Sequence, residues 1–478
     1  MGLFDAARAI SEAALWAVEP GRLVKANVLR EGDGLRVLGE RFELASFDNV
    51  WLIAFGKAAA GMAEALADVL DDRLTAGLVV APPSGTEGAI TRDYRLHYLD
   101  AAHPLPDERS VEAARRALDM AAKAGPNDLV LVCVSGGGSS LLCLPAAGVA
   151  LDEKRAVTEG LLRAGADVRE LNVVRKHLSG IKGGRLAQAA APATVVSLLV
   201  SDVNGDDPGT IASGPAHWDG STYADARDIL TRYRLWEVSP DAVRMLIEAG
   251  LRGEAPETPK SDDPVFGRVH SFVIGNNLTA LRGARREAES LGFEPFILTS
   301  TDEGEARQAA KDYVAFVAGL ACSTSAAPRP VCLLAGGELT VSVKGRGTGG
   351  RNMEFVLAAL AEMRREGLGG VFCGTCAVPE QGGGQAGSRP FDWLIMSLGT
   401  DGVDGPTDAA GAWADDTTLE RARELGHDLD AALTENDSYP FFAKTGNLVL
   451  TGPTGTNVCD VRIFLIRPGG AAGDVSKD

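Results

Sequence analysis

Apolar runs alternate with turn-forming residues along most of the chain, and their spacing predicts the elements. Leu3, Ala7, Ile10, Ala14 and Leu15 recur at helical intervals and predict an amphipathic helix over residues 3 to 17. Polar and apolar positions alternate around Gly34 to Leu44, as in a hairpin. Val50 to Phe55 is an unbroken apolar run, followed by the turn Gly56-Lys57 and an Ala-rich helix from Ala58 to Leu70. The same grammar returns at Leu129 to Val134, at Val195 to Val200, and at Ser271 to Ile274, the last followed by a helix from Thr279 to Leu291. Buried strands alternating with helices imply βα units and a largely parallel sheet. The later half differs. Val331 to Leu334 reads as a buried strand and Leu339 to Lys344 as a half-exposed one. A helix is expected from Asn352 to Arg365, a final strand from Val461 to Ile466, and a mixed sheet overall.

A chain of 478 residues exceeds one ordinary core, so two domains are expected. The polar, Pro-containing segment Gly253 to Pro264 is the expected linker, dividing residues 1–255 from residues 256–478. The final residues are allowed to pack back on the first domain. Ser323 to Pro330 is read as a loop and Gln381 to Arg389 as a surface insertion.

Net charge is −18, from 47 basic and 65 acidic residues, which argues against a nucleic-acid or anionic-membrane surface. Any small anionic ligand must then be met by locally clustered cations. Seven cysteines do not make a disulfide framework, and Cys373 with Cys376 form a lone C-x-x-C read as two reduced thiols. The first residues carry no leader pattern, Ala6 stands where myristoylation wants Ser or Thr, and no run reaches transmembrane length. A cytoplasmic protein is expected.

Against that acidic background the candidate chemistry stands out. Ser397 to Gly411 places Asp401, Asp404 and Asp408 on a Gly-rich loop after an apolar run, and Ser201 to Gly209 does the same with Asp202 and Asp206. Carboxylates so close repel one another, and a divalent cation carrying a phosphate would relieve that repulsion. Lys57 lies at a strand-to-helix turn, where helix N–H groups and an ammonium together trap anions. Ser135-Gly-Gly-Gly-Ser-Ser140 lets backbone N–H groups approach a phosphate, or is a tight turn only. Arg175, Lys176, Lys182 and Arg185 crowd eleven positions, with Arg175, Ser179 and Lys182 on one face if the segment is helical. His177 has no visible metal partner and reads as a structural hydrogen-bonder. Gly345, Gly347 and Gly350 satisfy G-x-G-x-x-G, although the strand before them alternates and no acidic strand end follows about 20 residues later. A basic loop of Lys344, Arg346 and Arg351 closing over phosphates is the competing reading, with Arg351 stabilising charge in transit.

Taken together, these segments resemble the class II glycerate kinases, the glycerate 2-kinase family whose C-terminal half is the MOFRL domain. The motifs are Gly56-Lys57-Ala58, His103 to Asp107, the Ser135 turn, Asn172 to Leu186, Ser201 to Asp206 and Ile211 to Pro215. Gly349 to Asn352, Gly399 to Thr407 and Thr451 to Asn457 complete them. The resemblance implies a Rossmann-like α/β/α N-terminal domain, a smaller C-terminal α/β domain with a mixed sheet, and an active site in the interdomain cleft. It implies ATP-dependent phosphorylation of D-glycerate to 2-phospho-D-glycerate with Mg2+. Lys57 and Arg351 match the family's essential cations, and Asp202 and Asp401 its acidic residues. Asp202, Asp206 and Asp401 are the expected magnesium ligands. Substrate and nucleotide contacts are expected from Ser135, Gly136, Gly137, Gly138, Ser139, Arg175 and Lys182. Asn277, Gly337, Glu338, Gly349, Gly350, Asn352, Thr400 and Asn457 join them. Met353 replaces a usual Gln, and Cys459 a common Asn. An NAD(P)H-dependent hydroxypyruvate reductase and a non-catalytic sugar-acid or nucleotide sensor stay open, as does a homodimer.

Overall fold

The computed structural model describes residues 1–83, 93–323, 330–367 and 391–468. Cys373 and Cys376, the Gln381 to Arg389 insertion and most of the Ser323 to Pro330 loop lie outside these residues. The chain divides into two compact units, residues Glu19–Asn276 with Gly455–Asn457, and residues Met1–Val18 with Asn277–Thr454 and Val458–Asp478.

The first unit opens with a small antiparallel meander, β1 (Val28–Glu31), β2 (Gly34–Val37) and β3 (Glu40–Glu43). Its main sheet holds β4 (Val50–Phe55), β5 (Ala76–Ala81), β6 (Leu96–Asp100), β7 (Leu129–Val134), β8 (Thr194–Val200) and β9 (Val269–Gly275). All six are parallel, in the order β6-β5-β4-β7-β8-β9. Every residue of β7 and β8 is buried, which is why these strands read as continuous apolar runs. Alanines of the helix Glu108–Ala121 pack closely into the core beside Val130, Val132 and Leu78. A separate cluster gathers helices Leu151–Arg163, Val168–His177, Tyr223–Arg232 and Asp241–Leu251.

The division falls at Asn276/Asn277 rather than near 255, because β9 pairs with β8 and completes the parallel sheet. The polar segment expected as a linker is tied down instead. Glu257 accepts the Tyr223 N–H at 2.9 Å, and Thr258 is buried. Proline and charge made that stretch look detached; its hydrogen bonds are to residues far along the chain.

The second unit is a mixed sheet of β10 (Glu294–Asp302), β11 (Val331–Gly337), β12 (Phe391–Gly399), β13 (Gly411–Asp415), β14 (Leu448–Val449) and β15 (Asp460–Pro468). Its order is β10-β11-β15-β12-β13-β14, with only β10 and β11 parallel. The final strand β15 is central to this sheet, and residues 469–478, whose packing the sequence leaves open, lie outside the described residues. The helix Leu3–Ala17 belongs here too, packed against the helix Asn277–Ser290. The helix Arg351–Arg365 supplies Phe355, Val356, Leu360 and Met363 to the core, with Met353 wholly buried among them. That burial explains how an apolar side chain is tolerated at position 353. Leu339 to Lys344 is irregular apart from one bridge at Thr340, not the strand its alternation suggested.

Candidate active site

In the parallel sheet β4 and β7 are neighbours, and from them the chain proceeds outward in opposite directions. Loops leaving the carboxyl ends of such a pair border a crevice where ligands bind in open α/β sheets. Those loops carry Lys57 and Ser135 to Ser140. They are stitched together, since Ser135 Oγ accepts the Ala58 N–H at 3.0 Å and the Lys57 N–H donates to Gly136 O at 2.9 Å. Gly56 has φ of 121°, and a Cβ there would overlap Ser135.

The bare backbone of the next two glycines lets polar side chains crowd in. A Cβ on Gly136 would strike the Asp202 carboxylate and lie 2.9 Å from Asn457 Nδ2. A Cβ on Gly137 (φ 81°) would meet His103 Nε2 at 2.9 Å and Lys57 Cγ at 3.5 Å. Asn457 donates to Asp202 Oδ2 at 3.2 Å across 255 positions of sequence. Lys57, Ser135, Gly136, Gly137, Asp202 and Asn457 are therefore brought together, joined by His103, which was visible only as part of a motif. Asp206, at φ 55°, accepts from Asn276 at 2.6 Å.

The basic segment behaves differently from its helical spacing. The helix ends at His177, so Ser179, bridged to Pro145, and Lys182, in a turn, lie beyond it. His177 is fully buried between Val173 O (2.8 Å) and Glu257 (3.2 Å), the structural role expected of it. Lys182 is buried, with Nζ 3.3 Å from Ser139 Oγ and 3.4 Å from Ala212 O. Ser139 in turn meets Ser213 Oγ at 2.7 Å, and Ser213 donates to Asn172 at 2.9 Å. Burial, then the charges of Lys154 and Arg175, brings Lys182 down to about 7. Burial likewise brings Lys154 down to about 8, with Arg175 and Arg185 acting in the same direction.

In the unfolded chain both amines return to the ordinary lysine value of 10.5. Between about 8 and 10.5 the unfolded state thus binds more protons than the folded one, and stability rises with pH through that window. The slope expected from these groups is on the order of 1–2 kcal/mol per pH unit. Urea unfolding at pH 7.5, 8.5 and 9.5 checks it, with Lys154→Met as control; a slope identical in that variant would refute the assignment.

In the second unit Arg351 begins its helix and is held on two sides. Its Nε and Nη2 donate to Asp460 at 2.7 and 2.9 Å, and Nη1 lies 3.0 Å from Glu338. Burial would lower its pKa, but the Asp460 charge and hydrogen bonds, with Glu338, outweigh that and raise it. Asp404 caps the same helix, accepting the N–H groups of Asn352 (3.0 Å) and Met353 (2.8 Å). Burial pushes Asp404 up to about 6 despite those bonds. The three acidic residues of this loop therefore diverge instead of gathering. Asp404 caps the helix and shares the Asn352 amide with Asp460, Asp408 accepts from Tyr439 Oη at 2.7 Å, and Asp401 lies with Asp460 around Gly399.

Several expected binding residues are occupied in holding the loops. Asn352 donates to Asp460 at 3.0 Å, and Thr400 Oγ1 donates to Cys459 O at 2.7 Å. The amide of Asn277 donates to the carbonyls of Val458 and Asp460, both at 2.8 Å. Cys459 has φ of 66°, a conformation Asn adopts more readily than Cys. Gly337 has φ of 125° and lies against Asp302, while Gly349 and Gly350 leave room for Ser438 and Asp404. The basic glycine loop is not an open phosphate cradle. Asn436 Oδ1 accepts the N–H groups of Lys344 (2.8 Å) and Gly345 (3.0 Å), and Glu435 O that of Gly347 (2.7 Å). The donors a dinucleotide fingerprint would offer are thereby consumed.

Among the described residues no three His, Cys, Asp or Glu side chains gather into a metal site. Asp202, on the loop after β8 and against Gly136, with Asp206 in the same segment, is a sparse oxygen donor set that fits a hard cation keeping most of its waters, not a closed protein cage. No described helix is long and apolar enough to cross a membrane.

Two family models match the chain, a domain of unknown function, DUF4147, over residues 6–248 and the MOFRL family over residues 331–460. A glycerate 2-kinase of Pyrococcus horikoshii is 39% identical, over 95% of each chain. An Agrobacterium vitis relative, 42% identical over 87% of this chain and 98% of its own, is named, only provisionally, a hydroxypyruvate reductase. The crystal structure of a glycerate kinase from Thermotoga maritima superposes with a TM-score of 0.77 at 37% identity, covering 97% of this chain and 99% of that one.

Proposed function

The chain belongs to the glycerate kinase family that carries the MOFRL domain, and from that premise we propose that it transfers the γ-phosphoryl group of ATP to D-glycerate, giving 2-phospho-D-glycerate. The observation that carries the reading is the glycine loop, where the Lys57 side chain, the Asp202 carboxylate and the bare backbone of Gly136 and Gly137 lie together at the carboxyl ends of two neighbouring parallel strands. Phosphoryl transfer asks little covalent work of a protein, so positioned charge supplies most of the acceleration.

The 2-hydroxyl oxygen of glycerate bonds to phosphorus as the bond to the β–γ bridging oxygen breaks, and ADP departs with that electron pair. Lys57 and Arg351 stabilise the charge on the phosphoryl oxygens. Asp202 and Asp401 divide two tasks, orienting the metal-bound nucleotide and receiving the hydroxyl proton. Mg2+, held through Asp202 with support from Asp206, would neutralise charge on the nucleotide's phosphates. Ser135, Arg175 and Lys182 are the groups available to the acceptor's carboxylate. The described cysteines Cys133, Cys143, Cys332 and Cys459 are free thiols, which suits the reducing cytosol. The reductase reading is disfavoured because Glu435 and Asn436 hold the N–H groups of the G-x-G-x-x-G segment.

Incubation with Mg·ATP and a panel of small hydroxy acids, followed by phosphorus NMR, is expected to show a phosphomonoester on the 2-position of D-glycerate. Oxidation of NADH by hydroxypyruvate without ATP would replace this reading with the reductase. Ligand binding without turnover would replace it with the sensor.

A further inference from the structure

Three cations of the first unit, Lys154, Arg175 and Lys182, lie close enough for their charges to act on one another, with no carboxylate partner among the described residues. Lys154 is buried and its Nζ has no hydrogen-bond partner. Lys182 Nζ reaches only the neutral oxygens of Ser139 and Ala212, and Arg175 makes no ion pair. The charges of Arg175 and Lys154 act on Lys182, that of Arg175 acts on Lys154, and all three feel Cys143. Leaving one buried ammonium uncompensated is already costly, and placing two more cations beside it compounds the cost. Such groups either give up their protons or are completed by a bound anion. The place is specific, because Ser139, which Lys182 touches, is two residues beyond Gly137, against which Lys57 packs.

We propose that Lys154 completes, with Arg175 and Lys182, a three-cation pocket that takes the carboxylate of the acceptor. The inference rests on the kinase reading and adds Lys154 to the residues that hold the acceptor's carboxylate. Arg175 offers a planar fork matched to a carboxylate, and the two ammonium groups add point charges on either side. A nucleotide phosphate is the rival anion, and the test is arranged to separate them.

Titration calorimetry of D-glycerate, its neutral amide and ATP into the full-length wild type and Lys154→Met decides between them. The expected result is D-glycerate binding weakened roughly 10- to 100-fold in the variant, with ATP binding unchanged and the amide weak in both proteins. Removing an unpaired buried charge should also raise the Tm of the unliganded protein, so loss of folding is not expected to cloud the result. Weakened ATP binding with unchanged glycerate binding would assign the pocket to the nucleotide and overturn the proposal. Unchanged affinity for both would make Lys154 structural and overturn it equally. Carboxylate binding needs no turnover, so failure of the kinase assay alone would leave these outcomes readable.

Discussion

Arg351→Ala is expected to lower kcat by on the order of 10³ or more, the effect seen where an arginine stabilises a transferring phosphoryl group. Its geometry suits that role because two carboxylates fix the guanidinium in advance. Asp460 takes Nε and Nη2, and Glu338 lies beside Nη1. The guanidinium carries five N–H groups, so donors remain for a phosphoryl oxygen. The same contacts make the substitution structurally expensive. Asp460 is wholly buried, and Arg462 approaches it only to 3.9 Å. Breaking a buried pair costs about 3–5 kcal/mol, an upper figure here because the Arg351 side chain is 30% exposed. Circular dichroism and Tm must therefore accompany the kinetics. Added guanidinium ion should recover part of the rate of a folded Arg351→Ala protein if charge at that point is what catalysis lacks. A folded variant slowed only a few-fold would remove Arg351 from the reaction.

The second large effect is expected at Lys57. Lys57→Met should reduce kcat by about 10²–10³, the range for removing one preorganised donor to a developing charge. Here stability should fall by less than in Arg351→Ala, because Lys57 is only half-buried. Backbone groups and Ser135 brace the turn, through the Lys57 N–H to Gly136 O and the Ala58 N–H to Ser135 Oγ. The two substitutions thus differ in balance, one losing mainly rate and the other rate and stability. Steady-state kinetics with Tm for both variants gives the comparison. A Lys57→Met enzyme with near-native kcat would detach the glycine loop from phosphoryl transfer.

Much of this was legible in the chain because the signals are local. A fully buried parallel strand must be apolar throughout, so Val50 to Phe55 and Leu129 to Val134 declared themselves, with boundaries matched residue for residue. Strand-end loops carrying Lys57, Asp202 and the Ser135 glycines were equally readable, since glycine and small polar residues there have few structural uses. The failures share one cause. Leu339 to Lys344 alternates as a strand would, yet the segment is irregular and its loop docks on Glu435 and Asn436. The acidic triplet at 401, 404 and 408 suggested a cation among its members, but Asp404 found helix N–H groups and Asp408 a tyrosine. Lys154 gave no signal at all, because an uncompensated buried charge is a statement about what surrounds a residue.

By itself the sequence determined which segments are buried strands, which loops carry charge at their ends, and the family to which the chain belongs. Those properties depend on side-chain polarity at fixed periods of two or 3.6 residues, and on short motifs whose members are neighbours in the chain. Only the tertiary structure decided that Asn457 would meet Asp202 across 255 positions, that the helix Leu3–Ala17 would join the second unit, and that Lys154 and Lys182 would be buried without a carboxylate. Each of these is a long-range arrangement, set by how whole elements cover one another's apolar faces, and no local spacing of residues encodes it.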